Sequence, residues 1–291
     1  MKGTWLFPLL VTLLLTVGCT NKSSKLTKPF EVVTVALSDT LNDEWEDPED
    51  SLSMEESLEE EPLPTTIDEL FDDFLFAFDQ NHRLQQQRIR FPLPVIEADG
   101  ETRQILQSKW SPHSLFQDPD FCTVLWNGRS QMALVQDSSV SKATVEQIYL
   151  HSRQIEAYLF ERDKTSGQWM MEEQRQLPFE HSELQDFLDF YREWATDSIY
   201  QRRHVQDPLN MVLTDENEEN GTIEGTIDVD QWFEFAPDLP GDVITNIDYG
   251  QSYHNPNRMI LQVRGFSNSL QILLTFHRDA AGNWRLMKYE N

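Results

Sequence analysis

Residues 71–78 read FDDFLFAF and residues 187–194 read FLDFYREW. The two align without a gap at an offset of 116 residues, with Phe71-Asp72-Asp73-Phe74 on Phe187-Leu188-Asp189-Phe190. One such match decides nothing, but an ordered series of them does. Phe78 falls on Trp194, Gln85 on Gln201, Arg88 on His204, Ile89 on Val205, and Pro92-Leu93 on Pro208-Leu209. Further on, Trp110 aligns with Trp232 and Gly128 with Gly250. At the far end Phe160-Glu161-Arg162-Asp163 matches Phe276-His277-Arg278-Asp279, and Gly167-Gln168-Trp169 matches Gly282-Asn283-Trp284. The offset drifts by a few residues, as loop insertions require. The body is one module written twice, over 65–178 and 179–291.

Each copy opens on a helix. Ile67, Leu70, Phe71, Phe74, Leu75 and Phe78 recur at helical spacing, and so do Leu184, Phe187, Leu188, Tyr191 and Trp194. Thr66 before Glu69, and Ser182 before Gln185, have capping-box spacing. Burial of one such stripe contributes roughly 10 kcal/mol before entropy, so the helix docks rather than standing alone. Short second helices are expected over 81–87 and 197–204. Strands are expected over 102–110, 121–126, 132–136, 145–151, 155–162 and 169–174. In the second copy they fall over 222–229, 231–235, 243–249, 259–264, 270–278 and 284–289. Asp99-Gly100, Asn127-Gly128 and Asn220-Gly221 mark turns between them. A helix followed by an antiparallel sheet makes each module α+β. Only about seven residues, 175–181, join the modules, and they include Phe179, so the modules should form one body.

Ahead of the repeat, Lys2 precedes an apolar run that ends Leu15-Thr16-Val17-Gly18-Cys19. The run is too short to span a bilayer and has the layout of a signal peptide. Its end resembles the lipobox of bacterial lipoproteins, with Thr16 where Leu is usual. Residues 1–18 are expected to be removed and Cys19 to carry the lipid, palmitate included. Two or more acyl chains hold stably where one does not. Residues 19–64 form an acidic tether. From Asp39 to Glu61 there are 12 acidic residues and no Lys or Arg, a self-repelling run that reads as a spacer of roughly 40 Å or longer.

The charge balance is 50 acidic against 23 basic residues, a net charge of −27. That excludes the clustered basic surface that nucleic acid requires. The seven histidines show no HxH or HExxH spacing, so no metal site is expected. Glycine-rich phosphate loops and the GxSxG elbow are missing too, and no cofactor is expected. Cys122, within the apolar run Phe121-Cys122-Thr123-Val124-Leu125, reads as a core residue. The polar positions that recur beside the apolar stripe are Asp73 and Asp189, with Arg88 and His204 at the end of the second helix. A buried Asp there would serve as a base; paired with Arg88, or capping a backbone amide, it would be structural. Asp163 and Asp279 read as turn residues.

The phrases FDDFLFAF, RIRFPLP, YLFERDKTSGQWMMEE, FLDFYREWATDSIYQRR and LPGDVITNIDYGQ resemble a lipoprotein family of the Bacteroidota that carries the domain of unknown function 4348. The resemblance covers about 66–291. It implies a fold similar to nuclear transport factor two, in which helices lie in the hollow of a strongly curved sheet, giving two tandem cone-like modules. The family has no established activity, so the resemblance brings no catalytic residue.

The expectation is a non-enzymatic lipoprotein of the cell envelope, anchored through Cys19, that binds a protein or small ligand or serves as a scaffold. The residues after Cys19 are neutral or basic, which points to an outer-membrane lipoprotein facing the periplasm. The alternative is an isomerase- or hydrolase-like enzyme using the hollow of one cone. A deep pocket with convergent polar groups would favour the enzyme, and a filled cone with an apolar outer patch the binding protein.

Overall fold

The structure is a computed structural model, and it describes residues 67–118, 120–215, 221–266 and 269–291. The expected signal peptide, Cys19, the tether and Thr66 lie outside these residues. The first stripe forms α1 (Phe71–Gln80), followed by α2 (His82–Gln87). Its repeat forms α3 (Gln185–Thr196) and α4 (Ser198–Arg203). Asn81 and Asp197 cap the second helices: the Asn81 side chain accepts from Leu84 N–H, and the Asp197 side chain from Ile199 and Tyr200 N–H. The Ser182 hydroxyl accepts from Leu184 N–H at 3.1 Å. It therefore serves the residue before α3 and not its third turn position.

Strands of the first half are β1 (Leu93–Ile96), β2 (Thr102–Ile105), β3 (Phe121–Trp126), β4 (Lys142–Tyr149), β5 (Gln154–Arg162) and β6 (Trp169–Pro178). Those of the second are β7 (Val205–Thr214), β8 (Thr222–Ile227), β9 (Val243–Asp248), β10 (Arg258–Gly265), β11 (Gln271–Arg278) and β12 (Trp284–Glu290). Two expected strands are helical. Residues 132–136 lie in a 3-10 helix, Arg129–Gln136, and 231–235 in α5 (Val229–Phe235). In both, a glutamine three positions in turns back: Gln131 accepts from Asn127 and Gly128 N–H, and Gln231 from Asp228 N–H. The expected 102–110 strand stops at Ile105, and Gln107–Lys109 is a 3-10 turn.

The sheets are mixed, not wholly antiparallel. Their orders are β2-β1-β6-β5-β4-β9 and β8-β7-β12-β11-β10-β3. β1 runs parallel to β6, and β7 parallel to β12. Each of these pairs joins the first and last strand of a half, so no hairpin forces them to oppose. Pro92, just before β1, and its repeat counterpart Pro208, within β7, each follow a cis peptide.

The two orders are identical in repeat terms except that β3 and β9 have changed places. β9 of the second half pairs antiparallel with β4, and β3 of the first half pairs antiparallel with β10. An exchanged strand is buried on both faces. Cys122, Val124 and Trp126 of β3 pack into the first core and Leu125 into the second; Ile244 of β9 packs into the second and Ile247 into the first. Sequence contiguity therefore places β3 and β9 in halves whose sheets they do not join. The described residues belong to one compact unit, and no helix among them is long and apolar enough to cross a membrane.

Candidate functional site

Both hollows are filled. In the first, Phe71, Phe74 and Phe78 of α1 pack on Phe160 and Trp169; in the second, Phe187, Phe190 and Trp194 pack on Phe276 and Trp284. Each filled cone is also closed. Gln85, fully buried, donates to His113 O at 2.9 Å and accepts from His113 N–H at 3.3 Å. That holds segment 110–116 over the first cone. The repeat-equivalent Gln201 accepts from the Trp232 indole at 3.3 Å, holding α5 over the second.

The first closing segment is fixed by the buried carboxylate of α1, which is Asp79. It accepts from Leu115 N–H at 2.6 Å and from the Ser114 hydroxyl at 2.9 Å. Burial raises its pKa against those bonds. A second polar set lines the inner wall. The Tyr149 hydroxyl donates to Gln147 Oε1 at 2.7 Å, Gln147 Nε2 donates to Leu115 O at 2.9 Å, Gln174 donates to Glu156, and the Tyr158 hydroxyl lies 3.2 Å from His113 Nε2. Burial, with Glu156 nearby, raises the Tyr158 pKa. These groups are spent on one another and on the closing segment.

Room opens on the outer side of α1. A groove of about 700 Å³ runs between α1, the end of β10 and segment 135–136. This is within the range for small-ligand sites, roughly 300–1,000 Å³. Phe116 and Phe266, with ring centroids 4.4 Å apart, form one wall, and the half-exposed Phe76 lies 6.1 Å from Phe266. At its floor Asp72 accepts from Arg264 Nη1 at 2.7 Å and from the Tyr249 hydroxyl at 2.6 Å. Arg264 Nη2 also reaches the Tyr249 hydroxyl at 3.2 Å and the Cys122 thiol at 3.8 Å. Burial works against the Arg264 charge, but Tyr249 and Asp72 outweigh it and its pKa is raised. Burial, and then Asp72, push the Tyr249 hydroxyl well up. Burial also raises the Cys122 thiol in spite of Arg264. This buried, protonated cysteine is not a nucleophile.

The four polar positions marked by the repeat do not converge. Arg88 is buried, pairs with both oxygens of Asp68 at 2.9 Å, and donates to Trp169 O at 3.3 Å. It does not pair with Asp73. Asp73 is exposed on the groove rim. Asp189 pairs with Arg153. His204 stacks on Tyr200 at 4.0 Å, with Nδ1 2.8 Å from Tyr200 O. Asp189 and His204 share a shallower depression of about 290 Å³ on α3. Asp163 and Asp279 are turn residues: each accepts backbone N–H groups of its own turn, and those bonds with Arg90 and Arg285 lower both carboxyls, Asp279 to about 2. Sequence reasoning passed over Asp72 and Arg264. The available signal was Arg264 alternating with Gln262 inside an otherwise apolar strand, MILQVRG.

The family model for the domain of unknown function 4348 (DUF4348) matches residues 49–291. A crystal structure of a nuclear-transport-factor-two-like protein from Bacteroides fragilis NCTC 9343 superposes with a TM-score of 0.72 at 38% identity, covering 79% of this chain and 98% of that one. The fold is thus α+β and nuclear-transport-factor-two-like. No curated protein matches.

Proposed function

Given that the chain belongs to the DUF4348 family, we propose that it is a lipid-anchored envelope protein that binds a ligand in the α1–β10 groove without transforming it. The observation that carries this reading is the placing of space. Rings fill both hollows, where a cone enzyme would work, while the aromatic-walled groove opens outside them. The internal repeat supports it. Arg264 takes the place of Ile148, as the registers Arg264↔Gln271 and Ile148↔Ile155 require, and Asp72 takes the place of Leu188. Ile148 and Leu188 are fully buried in the second core. An apolar pair thus suffices structurally at this position, and a partly buried ion pair brings desolvation cost for little net stability. The charged set beside the first core is retained for binding.

Anchoring rests on Gly18-Cys19 after the apolar run, and the outer-membrane, periplasm-facing placement on the neutral and basic residues that follow. Mass spectrometry of the mature N-terminus should find lipid on Cys19, and Cys19→Ala should release the protein from membranes. Shaving of intact cells by protease should leave the body untouched. For binding, native mass spectrometry of protein purified from its own envelope should find a small molecule that Phe76→Ala loses. A compound consumed on incubation with catalytic amounts of protein would replace this reading with the enzymatic one.

A further inference from the structure

The two halves differ at one charge whose partner is known in only one of them. In the second half, Asp189 of α3 pairs with Arg153, which lies in the hairpin between β4 and β5, pairs also with Glu180 at 2.6 Å, and sits over the Phe179 ring at 5.3 Å. Asp73 is the repeat counterpart of Asp189. The hairpin that would supply its cation is the one between β10 and β11. The β4–β5 register pairs Tyr149 with Gln154, and the β10–β11 register pairs Arg264 with Gln271, so four residues separate the paired ends in each hairpin once Gly265 bonds Leu270. Position 269 is then the counterpart of Arg153, and it is a serine. Among the described residues Asp73 has neither an ion-pair nor a hydrogen-bond partner.

The surroundings of Asp73 suit an organic cation. The neighbouring charges on the groove floor, Asp72 and Arg264, cancel, which leaves the groove one negative charge in excess. Phe76 lies one turn further along α1 and faces Phe266. Aromatic faces attract an ammonium or guanidinium, and apolar walls take the body that carries it. We propose that the groove binds a small amphiphilic cation, with its ammonium or guanidinium at Asp73 in the place that Arg153 fills in the second half and its apolar body among Phe76, Phe116 and Phe266. The inference rests on the groove being the ligand site and adds the class of ligand.

The test uses 4-phenylbutylamine and 4-phenylbutyrate, which share an apolar body and differ in charge. Calorimetric titration is run on the mature chain carrying Cys19→Ala, so that no lipid competes. The amine should bind saturably at one site and the acid at least tenfold more weakly. Asp73→Asn should weaken the amine about tenfold, and Asp73→Glu should restore most of the loss. Ser269→Arg, which leaves the groove walls and Asp73 intact, should supply the missing cation from within the chain and weaken the amine by a similar factor. Absence of saturable amine binding, an acid that binds as tightly as the amine, or an amine affinity indifferent to both Asp73→Asn and Ser269→Arg would overturn the proposal. If the acid binds and Phe76→Ala weakens it, the groove remains the ligand site and only the charge assignment falls. If Phe76→Ala changes neither probe nor the co-purified molecule, the binding reading itself fails.

Discussion

The ring stripes of α1 and α3 repeat one another closely in their packing geometry, while the positions beside them do not. Phe160 lies 5.5, 5.8 and 5.3 Å from Phe71, Phe74 and Phe78; Phe276 lies 5.4, 5.7 and 5.0 Å from Phe187, Phe190 and Trp194. The interplanar angles agree within 3°: 62, 73 and 90° against 65, 75 and 89°. Arg162 sits 4.9 Å over Trp169, and Arg278 4.8 Å over Trp284. Close packing of rings tolerates little change, so this part of the module is held in both copies. Beside the ring stripes Asp72 stands against Leu188 and Phe76 against Arg192. Leu188 is fully buried in the second core, whereas Asp72 and Phe76 line the groove beside α1. The difference separates positions that the ring packing fixes from positions that it leaves free to vary.

The largest effect should come from cutting the comparison in two. Expressed alone, 62–178 lacks β9, and β4 loses the partner it has from Thr144 to Tyr149; 179–291 lacks β3, and β10 loses its pairing from Ile260 to Gly265. Each half also loses apolar side chains from the centre of its core. Circular dichroism and gel filtration should show each half unfolded or aggregated, and co-expression should restore a stoichiometric complex with the parent's spectrum. A half that folds alone as a monomer with the parent's stability would show the exchange to be dispensable.

Next in size are Trp169→Ala and Trp284→Ala. Trp169 is fully buried and 4.8 Å from Phe71; Trp284 is 6% exposed and 5.3 Å from Phe187. Each substitution should cost about 3–5 kcal/mol, read as a shift in denaturant midpoint. Similar losses in the two halves sharpen the equivalence, and a midpoint that barely moves in either breaks it.

Where the sequence was legible, one periodicity answered to one core. The ring stripes and the strands at 121–126, 155–162 and 243–249 face buried surroundings that their patterns encode. The misread segments are those in which a short apolar run admits two periods. Residues 231–235, QWFEF, form a short aromatic run of strand length, yet Trp232 is buried from a helix whose signature, Asp228 followed by Gln231, was present. β1 and β7 were not expected as strands; each contains a proline, Pro94 or Pro208, that has no N–H to give to a ladder. The exchange of β3 and β9 left only a faint mark, strands apolar on both faces. Asp73 could be singled out because it recurs, and it lies on the groove rim. Asp72 was not, because its partner Arg264 lies 192 positions away in the other half and nothing local announces it.

A pH-dependent effect of intermediate size is expected where the halves meet. Glu146 of β4 accepts from Asn246 Nδ2 at 2.8 Å, and Asn246 Oδ1 accepts from Leu125 N–H at 2.8 Å, linking β4, β9 and β3. Burial, with Asp248 nearby, raises the Glu146 carboxyl from 4.5 to about 7, against the Asn246 bond. The folded state then holds a proton that the unfolded chain releases, so stability falls as pH rises from about 4.5 to 7 and the loss is complete above it. The size is about 3 kcal/mol. Glu146→Gln keeps the acceptor for Asn246 and has no proton to lose. The difference in unfolding free energy between variant and wild type should therefore grow across that window in favour of the variant; a difference that is flat with pH would place the titrating group elsewhere.

The smallest expected stability change tests the comparison most directly. Asp72→Leu with Arg264→Ile gives the first half the residues that Leu188 and Ile148 supply to the second. Either change alone leaves one charge of the pair without its partner. Asp72→Leu would strand the Arg264 guanidinium beside Tyr249 and Cys122, and Arg264→Ile would strand a carboxylate held only by the Tyr249 hydroxyl. With about a fifth to a quarter of each side chain exposed, the cost of a single change should be about 2 kcal/mol, less than for a fully buried pair. The double variant removes both charges and returns apolar packing, so its unfolding free energy should come back to within about 1 kcal/mol of wild type. Binding of the groove ligand should not come back, because the polar floor is gone. A double variant as unstable as the two single changes summed would mean that the pair is needed for the fold, and the argument that it is kept for a ligand would go with it.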